Sequence, residues 1–119
     1  MTEKDLKSIK ILKIEIDRTK QVLCGLKNSN TSQKSAYAEL LSQYEAELYG
    51  KKIQIEQEIQ HIEDAEIRLI LKLKFIDMRS WNYVARTMHY DRTTVYKKYK
   101  KFINKEQARN EKVKSVSGV

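Results

Sequence analysis

The stretch SWNYVARTMHYDRTTVYKKYKKFINK, residues 80–105, decides how this chain is read. Ser80 suits a helix N-cap, because its hydroxyl can accept from a first-turn amide that has no partner within the helix. Behind it, Val84, Ala85 and Met88 fall on one face of a short helix. A turn follows at His89 and Tyr90, and Asp91 makes a second N-cap. Val95, Tyr99, Phe102 and Ile103 then recur at the spacing of one helical face. The small Ala85 stands where two closely crossing helices leave room for little more than a methyl group. About ten residues separate it from Val95, as two helices joined by a tight turn require. Each element is common in helical proteins; two caps, a small crossing residue, a turn and a core valine in one register are not.

Upstream, DAEIRLILKLKFID (residues 64–77) predicts a strongly apolar helix. Ile67, Ile70, Leu71, Leu73 and Ile76 face inward, and Arg68, Lys72 and Lys74 stay outside. Three helices over residues 63–105 then form a tri-helical helix-turn-helix unit whose core includes Val84, Ala85, Met88, Val95, Tyr99 and Phe102. On its last helix Arg92, Thr93, Tyr96, Lys97 and Lys100 point away from that core, at the amino-terminal end. That end enters the major groove when such a helix docks on DNA.

Charge points the same way. The chain has 119 residues and a net charge of +8. Residues 1–63 carry ten basic and ten acidic side chains, whereas residues 64–119 carry fourteen basic and six acidic. Residues 92–105 hold six basic residues and no acidic one. A surplus confined to one segment is the footprint of a polyanion site, with double-stranded DNA favoured over an anionic membrane; the plainer alternative is a solvated lysine-rich helix. The DNA set is Arg92, Thr93, Thr94, Tyr96, Lys97, Lys98, Lys100, Lys101 and Lys105. Arg92, Thr93, Tyr96 and Lys97 lie nearest base edges, and the remaining lysines serve as phosphate contacts.

There is no proline and glycine occurs three times, so the turns a sheet needs are scarce and an all-α chain is expected. In residues 1–62, Ile9, Ile16 and Leu23 recur every seven positions, as do Leu41, Leu48, Ile55 and Ile62. Tyr37, Tyr44 and Ile59 flank the second seam. The polar segment around residues 25–30 separates two helices, which predicts an antiparallel, coiled-coil-like hairpin. Gly50 costs its helix about 1 kcal/mol and marks a kink or break. A two-helix hairpin buries little surface by itself, so the seams are assigned to a homodimer or higher oligomer, the alternative being packing within a monomer. Residues 106–119 are read as a polar, disordered tail.

No enzyme chemistry emerges. His61 and His89 lack partners at ligand spacing, and Glu63, Asp64 and Glu66 read as helix-start carboxylates, so neither metal nor cofactor is expected. The single cysteine, Cys24, sits among Val22, Leu23 and Leu26 and is expected to be buried. With no apolar run long enough for a membrane span and no signal-like start, a cytoplasmic location is expected. Trp81 is expected to wedge between helices, with donation to a phosphate as the alternative.

The residues quoted above resemble the helix-turn-helix of sigma-factor region 4. The counterparts are the apolar helix from Arg68 through Phe75-Ile76-Asp77, then Ser80-Trp81, Val84-Ala85 and Asp91-Arg-Thr-Thr-Val95. The version with Phe-Ile-Asp before Ser-Trp looks closest to the small sigma-like regulators of bacteriophages and prophages of the ArpU and RinA type. Those also place a helical arm ahead of the DNA-binding unit. Two glycines common in the motif are His89 and Arg79 here, so positive backbone angles are expected at both. The resemblance implies a phage-type transcriptional regulator in a bacterial host. Two other readings stay open: a small terminase subunit that recognises DNA for packaging, and a sigma-like module docking on RNA polymerase.

Overall fold

The computed structural model describes residues 1–26 and 31–117, with side chains to Arg109. All of its secondary structure is helical: α1 (Glu3–Gly25), α2 (Thr31–Gln60), α3 (Ala65–Leu71) running into a π-helical segment (Lys72–Ile76), α4 (Trp81–Met88) and α5 (Arg92–Ser117). The principal extents are 51 × 45 × 20 Å. The 30-residue α2 is about 45 Å long, most of the longest extent. No described helix is long and apolar enough to cross a membrane.

The first helix starts on a capping box. Thr2 Oγ1 accepts from the Asp5 amide at 3.2 Å, and Asp5 Oδ2 accepts from the Thr2 amide at 2.9 Å. That bond from the Thr2 backbone holds the Asp5 carboxyl below its ordinary range. The seam of α1 is buried at Leu6, Ile9, Leu12 and Ile16, and Thr19 satisfies its buried hydroxyl on the Glu15 carbonyl at 2.8 Å. Its partner is α2. Leu23 lies beside Thr31 and Ala38 at one end, and Leu6 and Ile9 join Ile55 and Ile59 at the other.

This pairing covers, within one molecule, part of the seams assigned to contacts between chains. Ile9, Ile16 and Ile55 are buried within one molecule, while Leu23, Leu41, Leu48 and Ile62 are half-buried. The two apolar stripes meet each other along part of their length, where α2 buries Ile55 and Ile59. Gly50 does not interrupt α2, because helical neighbours on both sides supply the hydrogen bonds that carry the chain through it. Cys24 is exposed, not buried: it lies off the stripe that Ile16 and Leu23 define. The polar segment expected at residues 25–30 lies mostly, at 27–30, outside the described residues.

One core runs through both halves of the chain. Leu6, Ile9, Ile55 and Ile59 belong to the same buried cluster as Ile67, Ile70, Leu71, Phe75, Val84, Val95, Tyr99 and Ile103. The boundary drawn at residue 62 therefore separates helices but not cores. Asp64 caps α3, its Oδ1 accepting from the amides of Glu66 and Ile67, and Arg68 donates to the carbonyls of Ile62 and Glu63.

After Leu71 the helix widens. Asp77 donates to the Lys72 carbonyl, a five-residue step at 2.9 Å. The extra residue per turn shifts the register, so Phe75 enters the core, Leu73 is left half-buried, and Lys74, expected outside, is half-buried. Met78 then adopts φ 57°. The positive angle expected at Arg79 falls one residue earlier, because the widened turn closes through Arg79 N–H to Leu73 O at 3.0 Å.

Helix α5 continues to Ser117, past Lys105 and into the segment read as a disordered tail. That segment contains no glycine or proline before Gly118, and Glu106, Gln107, Ala108 and Arg109 are good helix formers. Tyr99 is 2% exposed, and its buried hydroxyl has no hydrogen-bond partner among the described residues. Burial, with the Glu3 carboxylate nearby, pushes its phenol far above the ordinary value. Tyr99→Phe is therefore expected to stabilise the fold by about 1 kcal/mol in urea denaturation, since it removes a desolvated donor without leaving a cavity. A clear loss of stability would show that the hydroxyl is bonded in solution.

Candidate nucleic-acid interface

The candidate interface is built from α4, the turn after it, and the first half of α5. Helix α4 begins on Ser80, whose Oγ accepts from the Tyr83 amide at 3.1 Å. It ends on His89 in the left-handed conformation, φ 60° and ψ 37°. Tyr90 N–H reaches the Ala85 carbonyl at 3.0 Å and His89 N–H the Arg86 carbonyl at 3.3 Å, closing the helix in a Schellman pattern. The positive angle expected at His89 is present. A left-handed L-residue costs about 1–2 kcal/mol, and glycine returns about 0.4–1 kcal/mol of that through the unfolded chain. His89→Gly is thus expected to raise the melting temperature slightly, and His89→Val to lower it by several degrees.

Helix α5 opens on Asp91, whose Oδ1 accepts from the Thr94 amide at 2.8 Å. Its hydrogen bonding to Thr94 holds the Asp91 carboxyl below the usual 3.8. A depressed acid stabilises the fold above its unfolded value, and that contribution is lost as pH falls through the folded one. Opposite the cap, Val95, Tyr99 and Ile103 anchor α5 in the core, and Phe102 packs against it. Val84 and Ala85 are buried on α4, and Met88 packs beside them. The small residue at position 85 is 4% exposed.

The nine residues of the candidate DNA set do not form one face. Thr93, Lys97 and Lys101 lie along the side of α5 opposite its core stripe, all exposed, with Arg92 exposed at the helix start. Lys105 is exposed about one turn beyond Lys101. Thr94 is half-buried beside the cap. Tyr96 is 43% exposed, yet its ring meets Trp81 edge-on at 5.4 Å and Tyr99 at 6.2 Å, so it leans on the molecule.

Lys98 and Lys100 sit on opposite flanks and are engaged within the chain. Lys98 Nζ lies 3.7 Å from Glu66 and over the Tyr90 ring at 5.2 Å, while the Tyr90 hydroxyl donates to the same Glu66. Lys100 Nζ lies 3.6 Å from Glu3, which also takes Lys7 at 2.8 Å. The bond from Lys7, foremost, draws the Glu3 carboxyl below its usual range. Exposed ion pairs of this kind are worth little to stability, but a lysine held by a carboxylate has less charge to offer a phosphate.

Trp81 wedges between the helices, tilted on Tyr99 at 5.2 Å and edge-on to Phe75 at 6.4 Å. Lys74 Nζ rests over its ring at 5.2 Å. The structure also brings in residues that a search confined to α5 overlooks. Asn82 and Arg86 of α4 line one recess with Tyr90, Asp91 and Arg92. Arg79 stacks over Tyr83 at 4.8 Å. The signal for Arg86 was its place one residue beyond Ala85, which turns it outward on the flank next to the turn. Chemically the surface offers exposed guanidinium and ammonium groups, two threonines and an amide, on helices fixed by a shared core.

Residues 27–107 match the model of a family described as Protein of unknown function (DUF1492). No curated protein and no solved structure matches the chain.

Proposed function

The chain belongs to the DUF1492 family, and we propose that it is a sequence-specific double-stranded DNA-binding protein, a phage- or prophage-type transcriptional regulator. In this reading α1 and α2 form an antiparallel hairpin. Helices α3 to α5 form a sigma-region-4-like helix-turn-helix, with α5 as the recognition helix. The observation that carries it is the exposed set Arg92, Thr93, Lys97 and Lys101 on a helix anchored by Val95, Tyr99 and Ile103. A helix held along one side and cationic along the other is what a major groove accepts. The left-handed turn at His89 and the buried Ala85 support the same docking unit.

Arg92 and Thr93 act on base edges, with Lys97 beside them; Lys101, Lys105 and Arg86 act on phosphates. Lys98 and Lys100 contribute less, being paired to Glu66 and Glu3. If the complex forms from one chain, about five phosphate contacts give a slope of log K against log salt near −4 to −5. Titrating selected and random duplexes against salt tests this. Arg92→Ala should abolish discrimination between the two duplexes, whereas Lys101→Ala should weaken both alike and flatten the slope by about 1. Binding that ignores salt, or discrimination that survives Arg92→Ala, would sink the reading. Any self-association on DNA uses a surface other than the Ile9, Ile16 and Ile55 seam, which is buried within the chain.

A further inference from the structure

Helix α1 carries a second face that its pairing with α2 leaves open. Ile11 and Ile14 are 58% and 57% exposed, the most exposed isoleucines of the chain. With Leu6, Phe75 and Met78 they border a groove of about 320 Å³ between α1 and the π-helical segment. Its rim is cationic: Lys7, Lys10 and Lys74 line it and no acidic residue does. Lys7 is occupied by Glu3. Lys10 and Lys74 have no carboxylate within ion-pair distance among the described residues. Partial burial, then the charges of Lys10 and Arg92, pull Lys74 below the ordinary lysine value. An ammonium so placed gains from any carboxylate brought to it.

The geometry points to a docking groove for an acidic amphipathic helix of a partner protein, with aliphatic side chains against Ile11, Ile14 and Phe75 and carboxylates on Lys10 and Lys74. Helix-in-groove recognition uses apolar anchors at i, i+3 or i+4 and i+7, and the volume falls at the lower end of ligand grooves. Duplex DNA fits poorly, since phosphates gain nothing from an isoleucine floor. A second copy of this chain fits poorly too, because the same face would bring Lys7, Lys10 and Lys74 against like charges. The inference does not rest on DNA binding, and the two fail separately.

Trp81 reports on the groove, being the only tryptophan, beneath Lys74 and edge-on to Phe75. The full chain is titrated with a synthetic helical peptide carrying leucines at i, i+3 and i+7 and glutamates between them, while Trp81 fluorescence is followed. Saturable binding is expected, weakened at least about tenfold by Ile11→Ser with Ile14→Ser and, separately, by Lys10→Gln with Lys74→Gln. Both isoleucines are exposed, so their double variant should melt like the parent. The lysine-for-glutamate version of the peptide should not bind. Equal binding of the basic peptide, an unchanged affinity in the isoleucine variant, or no binding up to about 1 mM overturns the proposal. So does a doubling of mass with protein concentration that Ile11→Ser and Ile14→Ser abolish, which would assign the groove to a second copy. Loss of duplex binding in the isoleucine variant would assign it to nucleic acid.

Discussion

Leu6→Ala is expected to destabilise the whole chain by about 3 kcal/mol, and to melt α5 along with α1 in a single transition. For a chain of this size that is a fall of roughly 10–15 °C in melting temperature. Leu6 is fully buried near the amino terminus, in the same cluster as Val84, Val95 and Ile103. Removing its branched end leaves a cavity between α1 and the helices that present Arg92 and Lys97. Leu69→Ala, at a site 41% exposed, is the control and should cost well under 1 kcal/mol. Calorimetry with helical content followed in parallel checks both. Two separated transitions, with the later one unmoved by Leu6→Ala, would mean that the halves fold independently.

Lys97→Glu combined with Lys101→Glu is expected to weaken duplex binding by about 100-fold near 0.1 M salt, at unchanged melting temperature. Both side chains are exposed on the open side of α5 and neither makes an ion pair among the described residues. Reversing Lys97 removes a cation from the base edges, reversing Lys101 removes a phosphate contact, and each adds a repulsion. The same two-charge reversal at Lys98 and Lys100 should cost binding less and stability more. Those residues neutralise Glu66 and Glu3, and reversing them sets carboxylate against carboxylate. Equal losses from both pairs, measured by fluorescence anisotropy on one duplex, would show that the intramolecular pairs do not rank these lysines.

That ranking separates what a linear reading can reach from what it cannot. Ser80, Asp91 and the Val95, Tyr99, Ile103 stripe were legible because caps and helical faces are properties of residues within a few positions of each other. The charge surplus of residues 92–105 was legible for the same reason. Which of its lysines remain free was not, since Glu66 and Glu3 come from α3 and α1, 32 and 97 positions away from Lys98 and Lys100.

The core register after Leu71 was not legible either. A π-helical turn shifts the facing residues by one, and the sequence KLKFI carries no local sign of it. The seams show the same limit from the other side. Heptad spacing at Ile9, Ile16 and Ile55 specifies that an apolar stripe must be covered, but does not name the covering partner. By itself, the sequence determined helices, caps, a cationic segment and two apolar stripes, because these follow from local periodicity and side-chain chemistry. Only tertiary structure decided that the α1–α2 pair enters the core beneath α5. Only tertiary structure left Ile11 and Ile14 open beside Lys10 and Lys74. Burial is a relation among distant segments, and it is settled when they pack.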